Sequence, residues 1–126
     1  MHCVGYELMC DSLHADATAL AKELKLTSEV DFHCRDVREA KLGNAGLVYL
    51  NDAAWPEELV TGFWAIADTA MPAGSALVSH RGIPPGFGAR VRETEVLTVE
   101  LPGSYPVSWA DTWKHWISIF GERDEL

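Results

Sequence analysis

Asn51 and Trp55 stand just past a four-residue apolar run, in Leu47-Val48-Tyr49-Leu50-Asn51-Asp52-Ala53-Ala54-Trp55-Pro56. An unbroken apolar run is the signature of a strand buried on both faces of a parallel sheet. Open α/β sheets collect their ligands just beyond the carboxyl ends of such strands. A side-chain amide there both donates and accepts, so Asn51 can orient a polar substrate or a cofactor carboxylate. Trp55 can wall a narrow pocket beside it. The plainer alternative is a capping Asn and a core Trp.

Two further positions have the same character. Glu7 closes a short strand, Cys3 to Glu7, directly before a helix-entry loop. A carboxylate there can accept both hydroxyls of a ribose, although many strands end in Glu for solubility. Asp31-Phe32 closes a second strand, Val30 to His33. The carboxylate suits an exocyclic amine and the ring suits the face of a purine, or the pair is a strand-end turn with a core Phe. All three positions fall at carboxyl ends of strands expected to run parallel, so all three are expected at one edge of one sheet.

The elements that would position them follow from periodicity. Asp11 or Ser12 caps a helix to about Lys25, with Leu13, Ala17, Leu20, Ala21 and Leu24 on one face. Arg35 to Lys41 gives one or two helical turns. Leu47 to Leu50 is the third strand. Pro56 opens a helix to about Met71, with Glu57 and Glu58 near its positive end and Leu59, Val60, Phe63, Ile66, Ala67 and Ala70 inward. Ser75 to His80 is a fourth strand, and 82–88 is loop, rich in Gly and Pro. Val91 to Leu101 and Thr112 to Phe120 alternate and pair as a final hairpin. The order is α/β, mostly parallel, with an antiparallel end.

Composition narrows the function. With 126 residues and 48% hydrophobic content the prior is one domain with a real core. A formal charge of −9 argues against direct nucleic acid and against an anionic membrane surface as partner. The basic cluster Arg90-Val91-Arg92 reads as a solvated edge strand. Cys3, Cys10 and Cys34 match no zinc spacing and read as reduced thiols, hence a cytoplasmic or nuclear protein. The terminal Arg123-Asp124-Glu125-Leu126 is close to a retrieval signal but, without an import signal, reads as coincidence. The histidines 14, 33, 80 and 115 share no ligand spacing, so no metal is expected. Trp64, Trp109, Trp113 and Trp116 read as packing aromatics.

This order of features resembles a class I S-adenosylmethionine-dependent methyltransferase with a Rossmann-like fold. Gly5-Tyr6-Glu7 resembles the acidic second-strand motif, Leu13 through Leu24 the helix after it, and Asp31-Phe32 the adenine-side motif. Asn51 through Trp55 resembles the fourth-strand motif, and Met71 through Ser79 the turn before the fifth strand. More narrowly, the chain is similar to the disruptor-of-telomeric-silencing family of non-SET histone-lysine methyltransferases. That similarity rests on Asp31-Phe32, on Asn51 with an aromatic four residues on, and on Val99-Glu100-Leu101 followed by Val107-Ser108-Trp109.

The resemblance implies S-adenosylmethionine as cofactor and a protein substrate, possibly a histone lysine. Glu7 would bind the ribose, Asp31 and Phe32 the adenine, and Asn51 the methionine moiety beside the acceptor. Trp55 would line the lysine channel, making Asn51 and Trp55 the catalytic pair. The family's first strand, central in its sheet, and its glycine-rich loop have no counterpart here. The fold is therefore expected to be incomplete, with residues 1–126 the C-terminal portion of one catalytic domain. A non-catalytic interaction module on a degenerate methyltransferase fold is the second reading, and another nucleotide-binding α/β enzyme the third.

Overall fold

The computed structural model describes residues 2–100 and 112–122. The chain divides into two compact units, Met1–Ala40 and Lys41–Leu126. Each carries its own sheet, so the single sheet expected from the sequence is two.

In the first unit, β1 (Cys3–Glu7) pairs in parallel with β2 (Val30–Cys34), Gly5 opposite Phe32 and Glu7 opposite Cys34. The crossover starts as a π-helical turn, Cys10–His14, and continues as α1 (Ala15–Glu23). Neither Asp11 nor Ser12 caps it; the turn begins after Met9, without a side-chain cap. The expected apolar face is only partly used. Ala21 is buried, whereas Leu13, Leu20 and Leu24 are each more than half exposed. A two-stranded sheet offers too little surface to cover such a stripe. Asp36 accepts a hydrogen bond from the Arg38 amide and starts a single 3₁₀ turn, Val37–Glu39.

A disulfide joins Cys10 to Cys34, with 5.4 Å between their Cα atoms. The expectation of reduced thiols therefore fits Cys3, which is free and exposed, but not this pair. The bridge joins residues 24 apart in sequence, a loop whose closure stabilises by about 3–4 kcal/mol through the unfolded state. Cys10→Ser is expected to lower protection of the β1 and β2 amides correspondingly. Hydrogen exchange on the full chain, with β4 and β6 as internal reference, measures it.

In the second unit, β3 (Leu47–Tyr49), β4 (Ala76–Ser79), β5 (Val91–Glu100) and β6 (Thr112–Phe120) form a sheet in the order β3-β4-β6-β5. β3 runs parallel to β4, and β6 lies antiparallel between β4 and β5. The final hairpin is as the alternation predicted. α2 (Glu57–Ala70) crosses from β3 to β4, with Pro56 just before its first turn and Glu57 and Glu58 in it.

The core lies on one face of this sheet. Leu77, Ser79, Ser118 and Phe120 point to it and are buried. From α2, Val60, Phe63, Trp64 and Ala67 are buried, and Trp64 stacks on Phe120 with ring centroids 6.0 Å apart. Such stacked aromatic pairs add about 1 kcal/mol to the area they bury. Because side chains alternate along a strand, Tyr49, Val78, His80, Ile117 and His115 belong to the opposite face.

Arg90 does not behave as a solvated edge residue. Its guanidinium donates to the carbonyls of Asp68, Met71 and Gly121 at 3.1, 2.7 and 2.9 Å, and it lies over the Phe120 ring. The end of α2 and the end of β6 are thereby tied through one side chain. Leu101, Val107, Ser108, Trp109 and the four C-terminal residues lie outside the described residues.

Candidate functional site

In the second unit, the turn after β3 is pinned to the end of β4. Asp52 is fully buried, and its Oδ1 accepts the His80 amide at 2.7 Å. The Trp55 amide donates to the Asp52 carbonyl at 3.1 Å, closing the turn. The Trp55 carbonyl in turn accepts from the Arg81 guanidinium. Trp55 itself is half-buried and meets Phe63 edge-on, ring centroids 6.3 Å apart. Asn51 is left exposed at the tip of β3. The structure thus holds Asn51 and Trp55 on one rigid turn, and the anchor is Asp52 rather than either of them.

Burial pushes the Asp52 carboxyl above its ordinary value, against the His80 amide and the charges of His80 and Arg81, which pull it down. Its Oδ2 has no hydrogen-bond partner among the described residues. A half-satisfied buried carboxylate costs stability unless something else uses its charge.

On the other face of the same strand ends lies an aromatic cluster. The Tyr49 hydroxyl is 2.8 Å from His80 Nε2, and His80 Nδ1 is 3.3 Å from the Lys114 carbonyl. The His115 ring packs against His80 with centroids 4.7 Å apart. Sequence reasoning missed this cluster; it marked the Asp52 carboxylate as part of the strand-end motif but not as the buried anchor of the turn. Tyr49 and His80 are 31 residues apart, and only the parallel register of β3 with β4 brings them together.

In the first unit, Glu7 is half-buried and its Oε1 accepts the Met9 amide at 2.9 Å, leaving Oε2 available. Asp31 is exposed, 2.8 Å from His2 Nε2. The Phe32 ring lies directly over Gly5: a Cβ there would come within 2.7 Å of it, so only glycine admits the ring. His14 Nε2 lies 3.1 Å from the Phe32 carbonyl. Glu7, Asp31 and Phe32 thus share one two-stranded sheet, while Asn51 and Trp55 belong to the other unit.

Three solved structures align over nearly all of this chain. An RNA methyltransferase from Salinibacter ruber, solved in complex with S-adenosyl-L-homocysteine, gives a TM-score of 0.63 at 24% identity, over 99% of this chain and 70% of its own. An rRNA methylase assignment from Clostridium thermocellum gives 0.61 at 14% identity, over 97% and 74%. The fold is that of the class I methyltransferases. An rRNA methylase from Streptococcus thermophilus matches at 0.56 and 7% identity, over 94% and 74%. Neither a protein-family model nor a curated protein matches the chain.

The class I methyltransferase fold puts the observed strand ends in context. Glu7 stands at the carboxyl end of β1 and Asn51 just past that of β3, where open α/β folds hold their ligands. Asp31 and Phe32, expected at the end of β2, are instead its second and third residues, opposite Val4 and Gly5, because the strand runs on to Cys34. Among the described residues, no three His, Cys, Asp or Glu side chains gather in a way that could hold a metal ion. No described helix is long and apolar enough to cross a membrane.

Proposed function

We propose that this chain serves S-adenosylmethionine-dependent methyl transfer. The observation that carries the reading is the fold it shares with methyltransferases over nearly its whole length, one of them solved with the demethylated cofactor. The chemistry of the strand ends fits that cofactor. Glu7 keeps one carboxylate oxygen available and is already oriented by the Met9 amide, as a ribose diol requires. Phe32 offers an aromatic surface; Asp31, its neighbour in β2, lies on the opposite face of the strand, 2.8 Å from His2 Nε2. Asn51, in the second unit, is exposed and carries both a donor and an acceptor.

S-adenosylmethionine, when bound, supplies a methyl group activated by a sulfonium. The protein's share is to orient the acceptor and to take away its proton, since in-line displacement depends mainly on aim and proximity. Trp55, wedged against Phe63, is a rigid wall for that purpose.

For the acceptor, RNA is the first reading, because all three structural neighbours are described as RNA or rRNA methylases. A protein lysine, possibly of a histone, is the second. The charge of −9 favours it, since an acidic surface attracts basic tails and repels phosphates. A cytoplasmic or nuclear setting goes with either acceptor, but the Cys10–Cys34 disulfide removes the reduced thiols on which that expectation rested.

Titration of S-adenosylhomocysteine into the chain by calorimetry tests the cofactor reading. Saturable binding is expected. Glu7→Ala should weaken it about 10–100-fold, the cost of hydrogen bonds to a charged acceptor. Absence of binding would leave the interaction module as the better account.

A further inference from the structure

Methyl transfer to a nitrogen or oxygen acceptor releases a proton, and the acceptor must hand it to a base. We propose that Tyr49 and His80 form that relay, Tyr49 taking the acceptor's proton and His80 receiving the phenol's. The inference rests on the methyl-transfer reading above and extends it to residues no resemblance singled out.

The direction of the relay follows from hydrogen-bond chemistry. The Lys114 carbonyl, 3.3 Å from His80 Nδ1, can only accept. In the neutral imidazole the proton therefore sits on Nδ1, and Nε2 carries the lone pair. The only role left to the Tyr49 hydroxyl, 2.8 Å from Nε2, is to donate. The phenol oxygen then keeps its own lone pairs for an incoming proton. Tyr49 is more than half exposed, so an acceptor can reach it. A nucleophile or phenol poised on a base, with the base held by a third group, is the usual geometry of proton-transfer sites.

The surroundings suit the charge this would create. The His80 amide is bonded to Asp52, a buried carboxylate with one oxygen unpartnered among the described residues. A proton arriving at His80 therefore has the Asp52 carboxylate as a nearby opposite charge. His115 packs on the same ring and shields it. Asn51 extends the same strand two residues beyond Tyr49, so the relay and the proposed cofactor contact share one strand end.

The step balances as follows. A bond forms between the acceptor atom and the methyl carbon of a sulfonium donor, and the sulfur–carbon bond breaks with its electron pair left on sulfur. The acceptor's proton passes to Tyr49 Oη and the phenolic proton to His80 Nε2. The imidazolium later releases its proton to water. Tyr49 is the catalytic residue and His80 acts through it as a positioning residue.

Two measurements on the full chain test this. Nitrogen-15 NMR of the histidine rings should find His80 protonated on Nδ1, with an Nε2 resonance that moves in Tyr49→Phe. A His80 protonated on Nε2 would overturn the relay without any assay. Transfer from radiolabelled S-adenosylmethionine is then followed with total RNA and with core histones as acceptors. Tyr49→Phe and His80→Ala should each lose at least about tenfold in kcat, the low end of general-base contributions. Their affinity for S-adenosylhomocysteine should stay within about twofold of the parent, because neither residue holds a cofactor group. Added imidazole should restore part of the His80→Ala rate and none of the Tyr49→Phe rate. Tyr49→Phe working at the parental rate would refute the proposal. Cofactor binding without transfer to either acceptor would also refute it while leaving the cofactor reading intact. Loss of cofactor binding in the parent would instead remove the methyl-transfer reading itself.

Discussion

Arg90→Ala is expected to destabilise the second unit by about 3–4 kcal/mol, seen as a lower midpoint in urea with the slope unchanged. The guanidinium satisfies three carbonyls from two elements, Asp68 and Met71 at the end of α2 and Gly121 after β6. These are the carbonyls a helix and a strand leave unpaired where they stop. Hydrogen bonds from a charged donor contribute about 1.5–3 kcal/mol each, and truncation would leave acceptors behind with only partial access to water. The stack on Phe120, 5.8 Å from its ring centre, would go as well. Arg90→Lys is expected to recover less than half of the loss. An ammonium is a point donor and cannot span three carbonyls in a plane. If Lys restores full stability, the role of Arg90 is its charge and not its fork.

The misreading of Arg90 shows where sequence reasoning stops. Its neighbours in the chain, Val91 and Arg92, look like the start of an exposed edge strand, and β5 is indeed the edge of its sheet. What decides the role of Arg90 is the endpoint of a helix some twenty residues earlier, which periodicity locates only to within a turn. By contrast, β1, β6 and α2 were legible almost to the residue. A five-residue strand before a helix-entry loop, nine alternating residues and a Pro-Glu-Glu start each carry their own local signal. α1 was only half legible: its spacing was right, but which leucines are buried depends on how much sheet is present to cover them. The strand-end positions Glu7 and Asn51, and the Asp52 carboxylate after β3, were visible because their meaning comes from neighbours in sequence. Asp31 reads as a strand end because the run on to Cys34 carries no local signal. The pairing of Tyr49 with His80, and the burial of Asp52 against the His80 amide, were not visible, because they come from the register between β3 and β4.

Asp52 combines these two kinds of information, and its substitutions should separate stability from function. Asp52→Ala removes the acceptor of the His80 amide and leaves that N–H buried. An orphaned buried donor costs about 1–3 kcal/mol, and the lost side-chain volume adds to it, so a total of about 3 kcal/mol is expected. Asp52→Asn should behave in the opposite way. It keeps an oxygen for the His80 amide and removes the charge. The parent's carboxyl is raised in the folded state by burial, from 3.8 in the unfolded chain. Between 3.8 and the raised folded value, the folded state holds a proton that the unfolded state has lost. Stability therefore falls as pH rises through that window and stays lower at neutral pH. The asparagine variant lacks this fall, so denaturation at pH 3 and pH 7 should find it relatively more stable than the parent at the higher pH. A buried carboxyl that costs stability at neutral pH is explained if its charge is used. In the relay that charge faces His80 as it takes up the proton, so Asp52→Asn should be the more stable protein and the slower in methyl transfer to any acceptor. A variant both more stable and equally fast would separate Asp52 from the relay and leave it as an anchor of the Asn51–Trp55 turn.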